Sequence, residues 1–188
     1  MQSLTIDTPS EGVRTSTSVD VGGGCYAGSQ VTLQLAGQSA DVSCSAGTYA
    51  HTFDGVAGGE QTLTATMTYD GAEVSTRSTT FVVDVVAPAA PVVTSPTAGT
   101  TITTRQVTLA GTAEPGSTVY VFEGDGDQYA STPVGADGTF TVVLGEGYLL
   151  GAGVLTGKRG TLSVPLFAED EFGNRSATAT YTFATRIR

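Results

Sequence analysis

The second half of this chain repeats the plan of its first half. The run Val19-Asp20-Val21-Gly22-Gly23-Gly24-Cys25-Tyr26-Ala27-Gly28-Ser29-Gln30-Val31-Thr32-Leu33 aligns without a gap on Val107-Thr108-Leu109-Ala110-Gly111-Thr112-Ala113-Glu114-Pro115-Gly116-Ser117-Thr118-Val119-Tyr120-Val121. Each copy is an alternating apolar run, a tight Gly-Ser turn and a second alternating run. Period-two alternation marks strands with one buried face. A chain built this way is a modular rod or stalk in which each copy buries its own core.

The length of 188 residues suits two small domains. Thr and Val favour strands and the abundant Gly supplies turns, so almost nothing reads as helix. The spacing predicts strands over 2–6, 15–21, 30–35, 40–43, 48–53, 61–69 and 73–86 in a first domain spanning 1–87. A second domain, 91–188, has strands over 105–109, 118–123, 128–132, 139–144, 161–168 and 176–185. Between them, Ala87-Pro88-Ala89-Ala90-Pro91 reads as a short, semi-rigid Pro-rich linker. Short strands with a turn every 8–12 residues are the pattern of an all-β fold, here two tandem β-sandwiches.

The net charge is −10 and the isoelectric point about 4.2. Phosphate backbones need a basic footprint, and none is visible, so nucleic acid is excluded as a partner. An anionic membrane is disfavoured for the same reason, and no apolar run is long enough to insert. No signal peptide precedes the first strand, so the natural chain is expected to continue on both sides.

Several segments resemble a known family. Gly111-Thr112-Ala113-Glu114-Pro115-Gly116-Ser117-Thr118-Val119 resembles the G-x-A-x-P-G-x-x-V segment of bacterial immunoglobulin-like repeats. Asp137-Gly138-Thr139-Phe140 is similar to their D-G-x-[FW] turn. The stretch from Ala168 to Ser176 resembles their A-x-D-x-x-G-N-x-S hairpin, and the prolines Pro91 and Pro96 their opening. The resemblance covers nearly all of the second domain. The first keeps Gly28-Ser29-Gln30-Val31 and Gly47-Thr48-Tyr49 but lacks the proline and the G-N-x-S hairpin. The family implies two tandem Ig-like β-sandwich domains, of the kind repeated in secreted or cell-surface bacterial proteins, often adhesins, with no catalytic residues.

Two cysteines, Cys25 and Cys44, lie in the first copy without the CxxC or His partners of a zinc site. The strand order brings both to one pole, so a disulfide is expected; two buried thiols are the alternative. The acidic groups Glu123, Asp125 and Asp127, and Glu169, Asp170 and Glu171, are candidate calcium ligands, although neither matches an EF-hand loop. Solvated hairpin tips are the commoner reading of such clusters.

The long loop 145–160 is the main asymmetry between the copies. Its Tyr148, Leu149 and Leu150 form either a partner-facing patch or the cover over one end of the sandwich. His51, the only histidine, has no nucleophile constellation around it. Lys158 and Asn174 in polar loops do not suit an isopeptide bond, and Asn174 is expected to supply a left-handed hairpin residue.

The reading is a non-enzymatic module of a bacterial extracellular surface protein, serving as spacer or as adhesive region. The alternatives are a carbohydrate- or protein-binding accessory region of a secreted enzyme, or a decoration of a phage or surface-layer particle. Its partners would be neighbouring Ig-like domains of the same chain and a host or cell-surface protein or glycan. No cofactor is expected beyond the candidate calcium.

Overall fold

The structure, a computed structural model, describes residues 3–123, 126–154 and 159–187. The chain divides into two compact units, 1–85 and 86–188. Each has its own apolar core.

In the first unit, β1 (Arg14–Thr15), β2 (Val19–Gly24), β3 (Gln30–Leu35), β4 (Gln38–Ser43), β5 (Thr48–Phe53), β6 (Gly59–Tyr69) and β7 (Ala72–Val83) form two sheets. One pairs β2 with β5; the other runs β1-β7-β6-β3-β4. In the second unit the strands are β8 (Val92–Ser95), β9 (Thr101–Ile102), β10 (Val107–Thr112), β11 (Thr118–Phe122), β12 (Gln128–Pro133), β13 (Thr139–Leu144), β14 (Gly160–Glu169) and β15 (Ala179–Thr185). Their sheets are β13-β10-β8 and β12-β11-β14-β15-β9. The two lists describe one topology, with β10 standing for β2, β11 for β3, β13 for β5, β14 for β6 and β15 for β7. In both units alternate residues face the core. Val31, Leu33 and Leu35 are buried on β3, as are Val119 and Val121 on β11.

The opening segment of each unit serves both sheets. In the second unit β8 pairs with β10, the Ser95–Pro96 bond is cis, and β9 then pairs parallel with β15. In the first unit Thr5 and Asp7 donate their N–H groups to the carbonyls of Gly24 and Gly22 at 3.0 and 2.8 Å. The Thr8–Pro9 bond is cis, and β1 pairs parallel with β7.

The expected first strand over 2–6 is therefore an edge segment without regular ladder geometry, and Gln2 lies outside the described residues. The expected single strand over 15–21 is instead two elements, because the chain crosses between sheets around Ser16–Ser18. The pattern gave no sign of β8 and β9, which are too short to show periodicity.

The residues shared by the aligned copies each do the same structural task. A Cβ on Gly23 would lie 2.0 Å from the Thr5 carbonyl oxygen, and one on Gly111 would lie 2.2 Å from that of Val92. Only glycine lets the opening segment approach this closely. Gly28 and Gly116 have φ of 84° and 83°. Ser29 and Ser117 follow them, both buried, and accept the N–H groups of Cys44 and Val134, each at 2.8 Å. The gap-free alignment is thus a structural equivalence.

Candidate functional site

Cys25 follows β2 and Cys44 follows β4, so the disulfide between them ties one sheet to the other. Their Cα atoms are 5.9 Å apart, and both side chains are buried. The aligned residue for Cys25 is Ala113. The residue that bonds to the turn serine as Cys44 does is Val134. Val134 belongs to the second core and the partly buried Ala113 packs against it, so an apolar pair occupies there the place of the disulfide.

The family-like motif residues of the second unit are engaged in the fold itself. Asp137 Oδ1 accepts the N–H of Thr139 at 3.0 Å and its hydroxyl at 2.8 Å, which holds the carboxyl below its ordinary pKa. Gly138 takes φ 76° and Phe140 is buried. In the last hairpin Asp170 Oδ1 accepts the N–H groups of Phe172 and Asn174, both at 2.8 Å, while Asn174 Nδ2 donates to Asp170 Oδ2 at 2.9 Å. Ala168 N–H donates to Ser176 Oγ at 2.9 Å, and Ser176 N–H returns to the Ala168 carbonyl at 2.8 Å. The left-handed residue of this hairpin is Gly173, at φ 84°, and not Asn174 as expected. Asn174 instead uses its amide to brace Asp170.

The described acidic candidates are engaged as follows. Glu169 binds Arg175 Nε at 2.6 Å, and Asp170 is turned into its own loop. The Glu123 N–H bonds the Asp127 carbonyl at 2.8 Å, and Asp125 lies outside the described residues. Among the described residues no three His, Cys, Asp or Glu side chains gather as a metal site. His51 packs edge-on against Phe53, with ring centroids 4.6 Å apart. Lys158 lies outside the described residues.

The long loop contains a short helix, α1 (Glu146–Gly151), that the sequence did not suggest. Its glycines disfavour helix, and no side chain caps it. Tertiary burial overrides that propensity. Tyr148 is fully buried, donates its hydroxyl to the Phe122 carbonyl at 2.9 Å and meets Tyr129 edge-on at 4.8 Å. Burial and the nearby Glu123 carboxylate push its pKa well above the ordinary value. Leu149 and Val154 are also buried, whereas Leu150 is 54% exposed. The three candidate loop residues thus split into two core side chains and one surface side chain. In the first unit a single residue, Val56, performs this closure between β5 and β6.

An open apolar cavity lies elsewhere. At the end of the first unit remote from Val83, a cavity of about 260 Å³ is lined by Leu4, Tyr26, Met67, Tyr69, Val74 and two serines, Ser3 and Ser75. The Tyr26 and Tyr69 rings stand at 85° with centroids 4.9 Å apart. They are 37% and 45% exposed, and Val74 is 52% exposed. A bulge between Met67 and Thr68 leaves Val74 as the extra residue of β7 and turns it to the groove. None of these residues stood out in the sequence. The available signal was the alignment itself, which sets an aromatic Tyr26 opposite a charged Glu114.

The family description "bacterial Ig domain" matches residues 87–184. The chain belongs to this family, and its first unit repeats the same strand topology. No curated protein sequence matches it. Among solved structures it is similar to the fibronectin(III)-like modules of Clostridium thermocellum CbhA. The identity is 17%, with 98% of this chain and 95% of that chain covered and a TM-score of 0.50. It is also similar to the tandem Ig repeats of Dlar, at 13% identity, 100% and 98% coverage and a TM-score of 0.32. At 17% identity the likeness to the CbhA modules is one of fold. Domains of this family are typically non-catalytic, and among the described residues no helix is long and apolar enough to cross a membrane.

Proposed function

We propose that the chain is a non-enzymatic segment of a bacterial extracellular surface protein and acts as a spacer, with two Ig-like modules joined through the Pro-containing stretch 87–91. One observation carries this reading. The same topology is built twice, and the motif residues Gly111, Gly116, Asp137, Asp170 and Ser176 are each engaged in turns, caps or close backbone contacts. A buried disulfide supports an oxidising, extracellular setting. The natural partners of such a segment are further Ig-like domains of the same chain.

Force spectroscopy on the full chain tests it. A spacer of two modules gives two separate unfolding events, and the first module releases less chain until its disulfide is reduced. A single cooperative event refutes the reading.

An adhesive role is the second reading, favoured by the open groove on the first unit. Its target would be a host or cell-surface protein or glycan. Glycan-array and cell-binding assays test it directly, and silence in both removes it.

A further inference from the structure

We propose that the groove on the first unit binds a quaternary ammonium group. This deepens the adhesive reading, on which it rests, and leaves the spacer reading untouched whichever way it falls.

Tyr26 and Tyr69 both line the cavity, with their rings at 85° and their centroids 4.9 Å apart. Aromatic faces carry negative potential and attract a cation held within about 6 Å of the ring centroid. Leu4, Met67 and Val74 supply the apolar remainder. Among the described residues, the polar side chains in the lining outside the tyrosines are Ser3 and Ser75. A primary ammonium brings three N–H donors that need acceptors, and this lining offers few. A quaternary ammonium has no donor to satisfy and an apolar shell that suits the cavity.

Charge points the same way. Asp70 lies on the turn of the β6–β7 hairpin and Glu73 at the start of β7, beside Tyr69 and Val74 in sequence, and the whole chain carries −10. That field draws cations and repels carboxylates and phosphates.

The second unit lacks the site. Val31 pairs with Met67, and its counterpart Val119 pairs with Ala168, so Met67 corresponds to Ala168 and Tyr69 to Asp170. Tyr26 corresponds to Glu114. The fold is therefore complete without this groove, and the second unit serves as an internal control.

The test is NMR of the full chain, following the methyl groups of Met67 and Val74. The probes are choline chloride, its neutral isostere with carbon in place of the ammonium nitrogen, and Nα-acetyl-lysine amide, whose side chain keeps its primary ammonium, with sodium chloride as the ionic control. Choline should give saturable shifts confined to the groove, and both other organic probes should bind several-fold more weakly. Tyr26→Leu and Tyr69→Leu should each weaken choline about two- to fivefold, as the loss of one exposed cation–π contact does. Asp70→Asn with Glu73→Gln should weaken it too, by less as salt is added. These two lie at the surface, so a fold defect does not confuse the result.

Equal affinity for the neutral isostere or for the lysine amide overturns the proposal, as does the absence of saturable choline shifts. Cell or glycan binding that choline does not compete keeps the adhesive reading and sinks this one.

Discussion

Replacing Cys25 with alanine and Cys44 with valine installs in the first unit the apolar pair that the second unit already has at Ala113 and Val134. The packing change is small, because both cysteines are buried and the new side chains fill a similar space. What is lost is the cross-link. The bonded residues are separated by 19 positions, and closing a loop of that length stabilises by about 3 kcal/mol in the chain-entropy account. For a unit of this size each kcal/mol moves the melting temperature by roughly 4–8 °C. The first unit should therefore melt roughly 12–24 °C lower, with the second unit's transition unmoved. Scanning calorimetry of the full chain reads both transitions, and reduced wild type should match the double variant. The reciprocal change, Ala113→Cys with Val134→Cys, should yield a protein lighter by two hydrogens, with the second transition raised. A drop of less than about 4 °C in the first transition, within the effect of one kcal/mol, would refute the loop-entropy argument. A second-unit pair that stays reduced in air would refute the equivalence.

Gly111→Ala should lower the stability of the second unit by about 1–3 kcal/mol, the usual range for overpacking, and should raise hydrogen exchange along β8. An unchanged melting temperature would show that Val92 can move away without penalty. Tyr49 is buried, donates its hydroxyl to the Thr5 carbonyl at 2.7 Å, and has its pKa pushed up to about 12 by burial and then by Asp7. A tyrosine that ionises at about 10 when unfolded gives stability that is complete below that pH and lost as pH rises through the folded value. Denaturant titrations should show the first unit weakening between about pH 10 and 12, and Tyr49→Phe should flatten that slope. Asp170→Ala removes three donors' acceptor and should cost about 2 kcal/mol in the second unit. Because Asp170 is committed to its loop, millimolar calcium should leave the melting temperature of the wild type unchanged, and a calcium-induced rise would show that the loop can reopen.

Much of the fold was legible because it rests on local pattern. Alternation along Val31, Leu33 and Leu35 identifies a half-buried strand whatever surrounds it. The bounds of β5 and β13 follow from the Gly-containing turns beside them. The Gly-Ser turn announces the repeat, since its left-handed Gly28 and Gly116 and its buried serines are demands of the backbone itself. The cysteine pair was legible for a related reason. Three alternating strands joined by tight turns return to the same pole, and that needs no knowledge of the core.

The remainder depends on which segments meet across the core. The splitting of 15–21 into β1 and β2 is decided by two sheets competing for one stretch of chain. Helix α1 exists because Tyr148 and Leu149 fill the end of the second core, against the preference of a glycine-rich sequence. The acidic residues could not be sorted from sequence, because a carboxylate satisfied by its own loop, as Asp170 is, looks the same as one awaiting a metal. The groove is the extreme case. Leu4, Tyr26, Met67 and Val74 come from four separate stretches, and a bulge in β7 turns Val74 toward the others. Period and turn chemistry act over a few residues and are written in the chain. A cavity is a relation between distant residues, and only the packed sandwich brings them together.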